Sequence, residues 1–172
     1  MRYPEGQLIH VGDLVWWNEG VCVGYVESLM LRPEEYGSWG LDEPSIAFTN
    51  LHPFEANENK HPQNIGSLIG GATVVDSIAN LEDEGVGLLS DHEKSELEWA
   101  TQEAVSRASD EVRELPYCVC ACVDSETGEE NWHFHFVDRE AKIHDSIVFP
   151  FREGTRTDNG EQGSAGNPLP AE

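Results

Sequence analysis

The segment that decides the fold reads YCVCACVDSETGEENWHFHFVDREAKIHDSIVFPF and covers residues 117–151. Apolar and polar side chains alternate through its middle part, residues 131–137. Successive side chains of a strand point to opposite faces, so this pattern gives one aromatic face and one imidazole face. The aromatic face holds Trp132, Phe134 and Phe136, and the other holds His133 and His135. Such alternation indicates an antiparallel sheet with one dry and one solvated face.

Turn residues divide this segment into three strands. The sequence predicts strands over residues 117–124, 131–137 and 143–151, with turns at 125–128 and 138–142. Consecutive strands joined by such short turns form an antiparallel meander.

An amphipathic helix precedes the meander and can cover its dry face. Ser90 and Glu93 have the spacing of a capping box, and no Gly or Pro interrupts residues 91–114 before Pro116. The apolar side chains recur at helical spacing in one narrow stripe: Leu97, Ala100, Thr101, Ala104, Ala108, Val112 and Leu115. We therefore expect one long helix packed on the three-stranded sheet.

Short strands separated by glycines and loops fill the N-terminal part. The strand-like segments are residues 7–11, 14–17, 21–26, 45–50 and 72–78. We expect a loop over 29–40, which contains Pro33 and Gly37, and another over 52–63, which is polar and interrupted by Pro53 and Pro62. This succession of short strands is typical of a small barrel.

The opening residues also resemble a known kind of protein. The strings Tyr3-Pro4-Glu5-Gly6 and Val11-Gly12-Asp13-Leu14-Val15, followed by Gly20, Val21, Val23 and Gly24, are similar to an SH3-like barrel start in small bacterial immunity-type proteins. Such proteins neutralise a secreted toxin. The resemblance covers the first third of the chain, and many small barrels share its pattern. It implies an SH3-like fold and a toxin as partner.

The chain is therefore predicted to be an α+β protein in three parts. Residues 1–78 form an SH3-like small barrel, and residues 79–152 form a long helix on a three-stranded antiparallel sheet. Residues 153–172 are rich in Gly, Asn, Ser and Pro, which predicts a disordered tail.

Charge limits the possible partners. The chain has 33 acidic and 10 basic residues among 172, a formal net charge of −23. Such a surplus repels nucleic acid and anionic lipid and attracts basic proteins. No stretch approaches the roughly 20 apolar residues of a membrane helix, and the first residues do not read as a signal peptide. We expect a cytoplasmic protein whose four cysteines are reduced.

Thiols and imidazoles of the meander are the sharpest candidates for a metal site. They are Cys118, Cys120, Cys122, His133 and His135, and zinc takes both kinds of ligand. Strand register decides whether they meet. If Gly128 lies in a bulge and residues 125 and 129 pair, the cysteines face the core and the histidines face solvent. A slip by one residue would bring thiols to imidazoles. We expect the first arrangement. The C-x₂-C pattern that is usual in zinc sites is also absent from the sequence.

Catalytic motifs are absent from the sequence. Cys22 with one of the seven histidines could form a hydrolase dyad, but a strand cysteine more often packs in the core. Ser67 lies among glycines that match neither the G-x-S-x-G elbow nor a phosphate loop. We therefore predict a protein that is not an enzyme and has no cofactor.

These observations favour an acidic, bacterial protein-interaction module. The most concrete form is an immunity-type inhibitor that covers the active cleft of a basic toxin. Its candidate partner-binding residues are Trp16, Trp39, Trp99, Glu96 and Glu103. One alternative is a hydrolase or metal-binding enzyme that uses Cys22 or the 118–135 hairpin. Another is a regulatory module that binds a peptide and forms a homodimer through Trp99.

Overall fold

The computed structural model describes residues 1–18, 20–53, 73–78, 81–83, 85–138 and 142–152. It confirms the α+β class. Its elements in chain order are β1 (Leu14–Trp17), β2 (Cys22–Met30), α1 (Pro33–Ser38), β3 (Ser45–Thr49), β4 (Leu51–His52), β5 (Thr73–Ser77), β6 (Gly87–Leu88), α2 (Asp91–Arg107), β7 (Tyr117–Val123), β8 (Glu130–Val137) and β9 (Ile143–Pro150). The glycine-rich segment around Ser67 and the predicted tail 153–172 lie outside the described residues.

All nine strands join one antiparallel sheet. The strand order along its main path is β5-β3-β2-β7-β8-β9, with β1 between β2 and β6, and with β4 paired to β7. In the part of the chain that the structure describes, the outer strands do not pair, so the sheet is not closed. The antiparallel sheet is thus confirmed, whereas the SH3-like barrel remains a proposal. Likewise the division at residue 78 stays a prediction, although β2 and β7 join both parts.

The predicted meander is confirmed, but its register differs by one residue from the expected one. Cys118 pairs with His135 and Cys120 with His133, so the thiols and imidazoles share a face. The cause lies in the turn, where the Asp124 carboxylate accepts hydrogen bonds from the Glu126 and Thr127 amides at 2.8 and 2.9 Å. This Asx-type turn makes a four-residue loop with Gly128 at φ 73°, and the expected 125–129 pairing is wrong.

Helix α2 covers the aromatic face of the meander, as the sequence predicts. Its small residues Ala100 and Ala104 are fully buried against the rings of Trp132, Phe134 and Phe136. We call this cluster the helix-side core. The capping box is also present, because the Ser90 hydroxyl accepts from the Glu93 amide at 3.2 Å while the Glu93 carboxylate accepts from the Ser90 amide at 2.7 Å.

The helix ends at Arg107, seven residues before the predicted end. Ala108 is extended, and the amides of Val112 and Arg113 bond to the Ser109 carbonyl in a turn. Ser and Asp, which follow Ala108, favour turns because their side chains compete for backbone groups. Val112 is nevertheless buried in the helix-side core. The apolar residues of the predicted stripe thus mark buried positions even where the chain is no longer helical.

A second core lies on the opposite face of β1, β2 and β3. It contains Tyr3, Ile9, Val15, Trp17, Cys22, Val26, Ile46, Phe48, Leu81 and Val86. Strand β2 is longer than predicted, and the expected 29–40 loop contains α1. Residues 7–11 do not form the predicted strand; Leu8 makes an isolated bridge to Arg2, and Ile9 packs in the second core.

Glycine is required where β3 passes into β4 over β2. A Cβ added to Gly24 would lie 2.0 Å from the Thr49 carbonyl oxygen and 2.7 Å from the Asn50 Cα. Beyond this crossing, His52 is buried in β4 rather than in the exposed loop that its sequence context predicts. Within the described residues, no helix has the length and apolar character needed to cross a membrane.

Candidate functional site

Two of the five predicted partner-binding residues are buried. Trp16 is 7% exposed, and its ring stacks on Trp132 in the helix-side core with centroids 5.9 Å apart. Glu96 is fully buried and accepts hydrogen bonds from the backbone amide and the guanidinium of Arg152. Trp16 does point away from Val15 and Trp17, as strand alternation requires. The sequence did not reveal that the helix-side core lies on that side of β1. Both side chains are enclosed by other parts of the chain, and contact of either with a partner stays a prediction.

Trp99 and Glu103 contact other parts of the chain. The Trp99 ring is half-buried, meets Phe149 edge-on at 5.8 Å and carries the Arg152 guanidinium at 4.5 Å from its centroid. The Glu103 carboxylate accepts a hydrogen bond from Arg107 at 3.0 Å. Contact of either residue with a partner or a second copy stays a prediction.

Trp39 lies in a different setting, at the end of α1. Its backbone amide bonds to the Tyr36 carbonyl, and its side chain is half-buried. We define the α1 segment as residues 31–43. Its exposed members include an apolar side chain, Leu31, which is 47% exposed. The exposed carboxylates of the segment are Glu34, Asp42 and Glu43.

Arg32 sets the charge at the start of the α1 segment. Its guanidinium donates to the Glu35 carboxylate at 2.8 Å through Nε, and the Leu31 and Arg32 amides donate to the same group at 2.9 Å. These bonds lower the pKa of Glu35 to about 2. Glu35 is therefore ionised at neutral pH. The Arg32 guanidinium pairs with Glu35 and also lies 3.6 Å from the Glu34 carboxylate, so it offsets charge at the start of the segment, away from Asp42 and Glu43 in the sequence.

Most other basic side chains in the described residues are also held by carboxylates. The ion pairs are Lys94–Asp91, Arg107–Glu103, Arg113–Asp110 and Arg152–Glu96. Since the few cations are bound locally, the remaining exposed carboxylates give the molecule a strongly negative surface.

Thiols and imidazoles lie together on the second face of the meander. Cys118 and Cys120 are buried, Cys122 is half-buried, and His133 and His135 are half-buried. Burial lowers the pKa of both histidines, so their neutral forms are favoured. The His135 ring lies 2.9 Å from the Ser146 hydroxyl, and the two imidazoles are 6.2 Å apart.

The Cys22 thiol belongs to the same face through its pairing with Cys120. A hydrogen bond from the Cys120 thiol and one from the Asn18 side-chain amide, at 3.9 Å, lower the pKa of Cys22 to about 7. The same contact and burial raise the pKa of Cys120. One thiol of the pair is thus readily ionised near neutral pH while its neighbour keeps its proton.

These side chains do not form a metal site in the described part of the chain. No group of three or more His, Cys, Asp or Glu residues there has the arrangement needed to hold an ion. The register brings thiols beside imidazoles in pairs along the ladder, not around a common point.

Compared with protein-family models, curated proteins and solved structures, the chain gives no match in any of the three comparisons. The resemblance to immunity-type proteins therefore remains an expectation from the sequence.

Sequence reasoning missed the Cys22–Cys120 pair and the α1 segment. The thiol pair depends on the contact between β2 and β7, which are separated by nearly a hundred residues and share no local signal. A signal for α1 was present: Pro33 at the first helical turn and Glu35, which returns to the Arg32 amide, are typical of a helix start.

Proposed function

We propose that this protein is an acidic cytoplasmic protein-interaction module of the immunity type, which covers the active cleft of a basic bacterial toxin. The observation that carries the proposal is the α1 segment, where Trp39 and Leu31 stand among exposed carboxylates. Aromatic anchors supply binding energy at interfaces, and complementary charge accelerates encounter. Among the predicted site residues, Trp39 belongs to this segment, and it is half-buried.

The net charge of −23 supports the same function. A toxin that degrades nucleic acid needs a basic cleft, and a strongly acidic surface can occupy such a cleft in place of the substrate. Local pairing of the basic side chains preserves this negative surface across the described residues.

The test is binding to the product of the adjacent open reading frame, measured with purified proteins. We expect a complex whose affinity falls as salt concentration rises. Trp39→Ala should weaken it at least tenfold, the loss typical of a hot-spot residue. The proposal is contradicted if the adjacent product forms no complex and the protein does not inhibit its activity.

A matched pair of variants separates local charge from total charge. Asp42→Asn with Glu43→Gln removes two charges from the α1 segment, and Glu126→Gln with Glu129→Gln removes two exposed charges elsewhere. The two pairs of charges lie at opposite ends of β2. Helix α1 follows the C-terminal end of β2, whereas the antiparallel strand β7, which pairs with β2 at Cys22–Cys120, runs toward the N-terminal end of β2 and there enters the β7–β8 turn. We expect slower association for the first variant only.

The register of the meander favours a second candidate, a metal-binding enzyme that uses the Cys118–Cys122 and His133–His135 hairpin or Cys22. Its support is the pairing of Cys118 with His135 and of Cys120 with His133; a metal there would need further ligands that the described residues do not supply. Metal analysis of the purified protein tests it. Stoichiometric zinc that is lost in Cys120→Ser would favour this candidate over an immunity-type inhibitor.

A further inference from the structure

A pair of thiols lies where β2 meets β7, the contact that joins the half of the sheet containing β5, β3 and β2 to the half containing β7, β8 and β9. Strand β2 pairs with β7 at only two positions, Cys22–Cys120 and Val23–Val119. Both cysteines are free in the structure and almost fully buried. Two sulfur atoms therefore face each other at the junction between strands that are far apart in the sequence.

The position of the pair in the ladder suits a disulfide. The Ala121 amide donates to the Val21 carbonyl at 2.7 Å, so these two residues form a hydrogen-bonded pair. In an antiparallel ladder the next pair is then non-hydrogen-bonded, with Cα atoms about 4.5 Å apart. A disulfide requires Cα atoms about 4.4 to 6.8 Å apart. The ladder position of Cys22 and Cys120 is therefore one at which a disulfide can form.

The other two thiols are less suitable partners. Cys118 and Cys122 lie two residues on either side of Cys120 in β7. Cys118 pairs with Leu51 of β4 and His135 of β8, and Cys122 pairs with Asn131 of β8. Residues two apart in one strand, such as Cys118 and Cys120, point to the same face but are too far apart to form a disulfide without distortion of the strand. Cys22 thus has one direct partner.

We infer that Cys22 and Cys120 form a reversible disulfide that links β2 to β7, a modification site at the junction of the two halves of the sheet. The bond closes a loop of nearly a hundred residues, and cross-links of long loops restrict the unfolded chain most. Thiol–disulfide exchange with an added dithiol reverses such a bond.

The oxidant is a low-molecular-weight disulfide, RSSR. The Cys22 thiolate attacks one of its sulfur atoms, which forms a mixed disulfide and releases RS⁻. The Cys120 sulfur then attacks the Cys22 sulfur, its proton passes to RS⁻, and the second RS group leaves as a thiolate that takes up the proton first lost by Cys22. Two protein thiols are oxidised and RSSR is reduced to two RSH. The hydrogen bond that favours the Cys22 thiolate fits this order of attack.

The experiment uses the full chain, treated with mixtures of oxidised and reduced glutathione in the presence of a metal chelator. Intact mass should show the loss of two hydrogen atoms, and a non-reduced peptide map should show the peptides of Cys22 and Cys120 linked. The thermal midpoint should rise by roughly 5–15 °C in the oxidised form, and added dithiol should reverse both changes.

Two alanine variants make the test specific. Cys122→Ala should still form the bond, whereas Cys120→Ala should not, with a thermal melt under reducing conditions to confirm that each is folded. A linked peptide of Cys22 with Cys118 or Cys122 would overturn the inference. So would thiols of the wild-type protein that react with glutathione only in denaturant, or that yield only mixed disulfides.

Discussion

Gly24 is the residue at which the fold depends most directly on the absence of a side chain. The chain crosses from β3 to β4 directly above it, with the Thr49 carbonyl in the space that a Cβ would occupy. Such contact involves backbone atoms, so a larger residue requires the strands to separate.

Gly24→Ala is therefore expected to lower the free energy of unfolding by about 3 kcal/mol or more. Gly37→Ala is the matched control, because a Cβ added there meets nothing within 4 Å and Gly37 lies in α1. It should leave stability unchanged or raise it by up to about 1 kcal/mol. Urea denaturation measures the free energy of unfolding of both variants. Equal losses of stability would contradict the close passage of the β3–β4 backbone over Gly24.

His52 couples the fold to pH. Its ring is 3% exposed and lies against Tyr25 and Tyr117, with centroids 5.0 and 5.3 Å away. Burial lowers its pKa from 6.5 to about 4. Between these two values the unfolded chain binds a proton that the folded chain does not, so stability falls as pH falls through this range.

The expected cost of acidification from about pH 7.5 to about pH 5 is roughly 2 kcal/mol from this residue. His52→Phe retains a ring for the two tyrosines and removes the titration, so its stability should depend less on pH by that amount. His92→Gln, at an exposed position, should follow the wild type. Identical pH profiles for wild type and His52→Phe, measured by urea denaturation, would show that His52 is not buried in neutral form.

At the scale of elements, Arg152, the last described residue, is joined to α2 by an ion pair with the buried carboxylate of Glu96. Arg152 pairs with Glu96, whose side chain is 1% exposed, and Arg107 pairs with Glu103, whose side chain is 38% exposed. Both arginines also lie over an aromatic ring, at 4.5 Å from Trp99 and 4.9 Å from Phe149. The two pairs differ mainly in the burial of the carboxylate.

Arg152→Ala is expected to destabilise the protein by about 2–4 kcal/mol, because it leaves the buried Glu96 charge without its partner. Arg107→Ala should cost at most about 1 kcal/mol, since an exposed ion pair contributes little. Glu96→Gln introduced into Arg152→Ala should recover part of the loss. Chemical denaturation checks all three, and equal effects of the two arginine variants would contradict a role for the buried charge.

Elements whose signals are local were predictable from the sequence. The alternation of residues 131–137 and the Ser90–Glu93 box each specify structure within a few residues, and both are present. The end of α2 and the β7–β8 register were not predictable, because Ser109 and Asp124 each redirect the backbone through two local hydrogen bonds that no sequence pattern specified. A change of one residue in that turn moved every thiol to the imidazole face.

At the scale of the whole molecule, the sequence indicated the charge but not which aromatic residues remain near the surface. Trp16 is buried because a second layer, α2, covers the side of β1 that a lone barrel would expose to solvent. The α1 segment is the surface on which the proposed function rests, while partner contact through Trp99 and Glu103 stays a prediction. Neither Trp39 nor its acidic neighbours could be chosen over Trp16 or Glu96 without the fold.

The most direct test of the proposed interaction is calorimetric titration of this protein with the purified product of the adjacent open reading frame, at low and at high salt. We expect saturable binding that weakens as salt concentration rises, and an affinity that Trp39→Ala lowers at least tenfold. Absence of heat at low salt, or binding that is unchanged by both salt and Trp39→Ala, would contradict it.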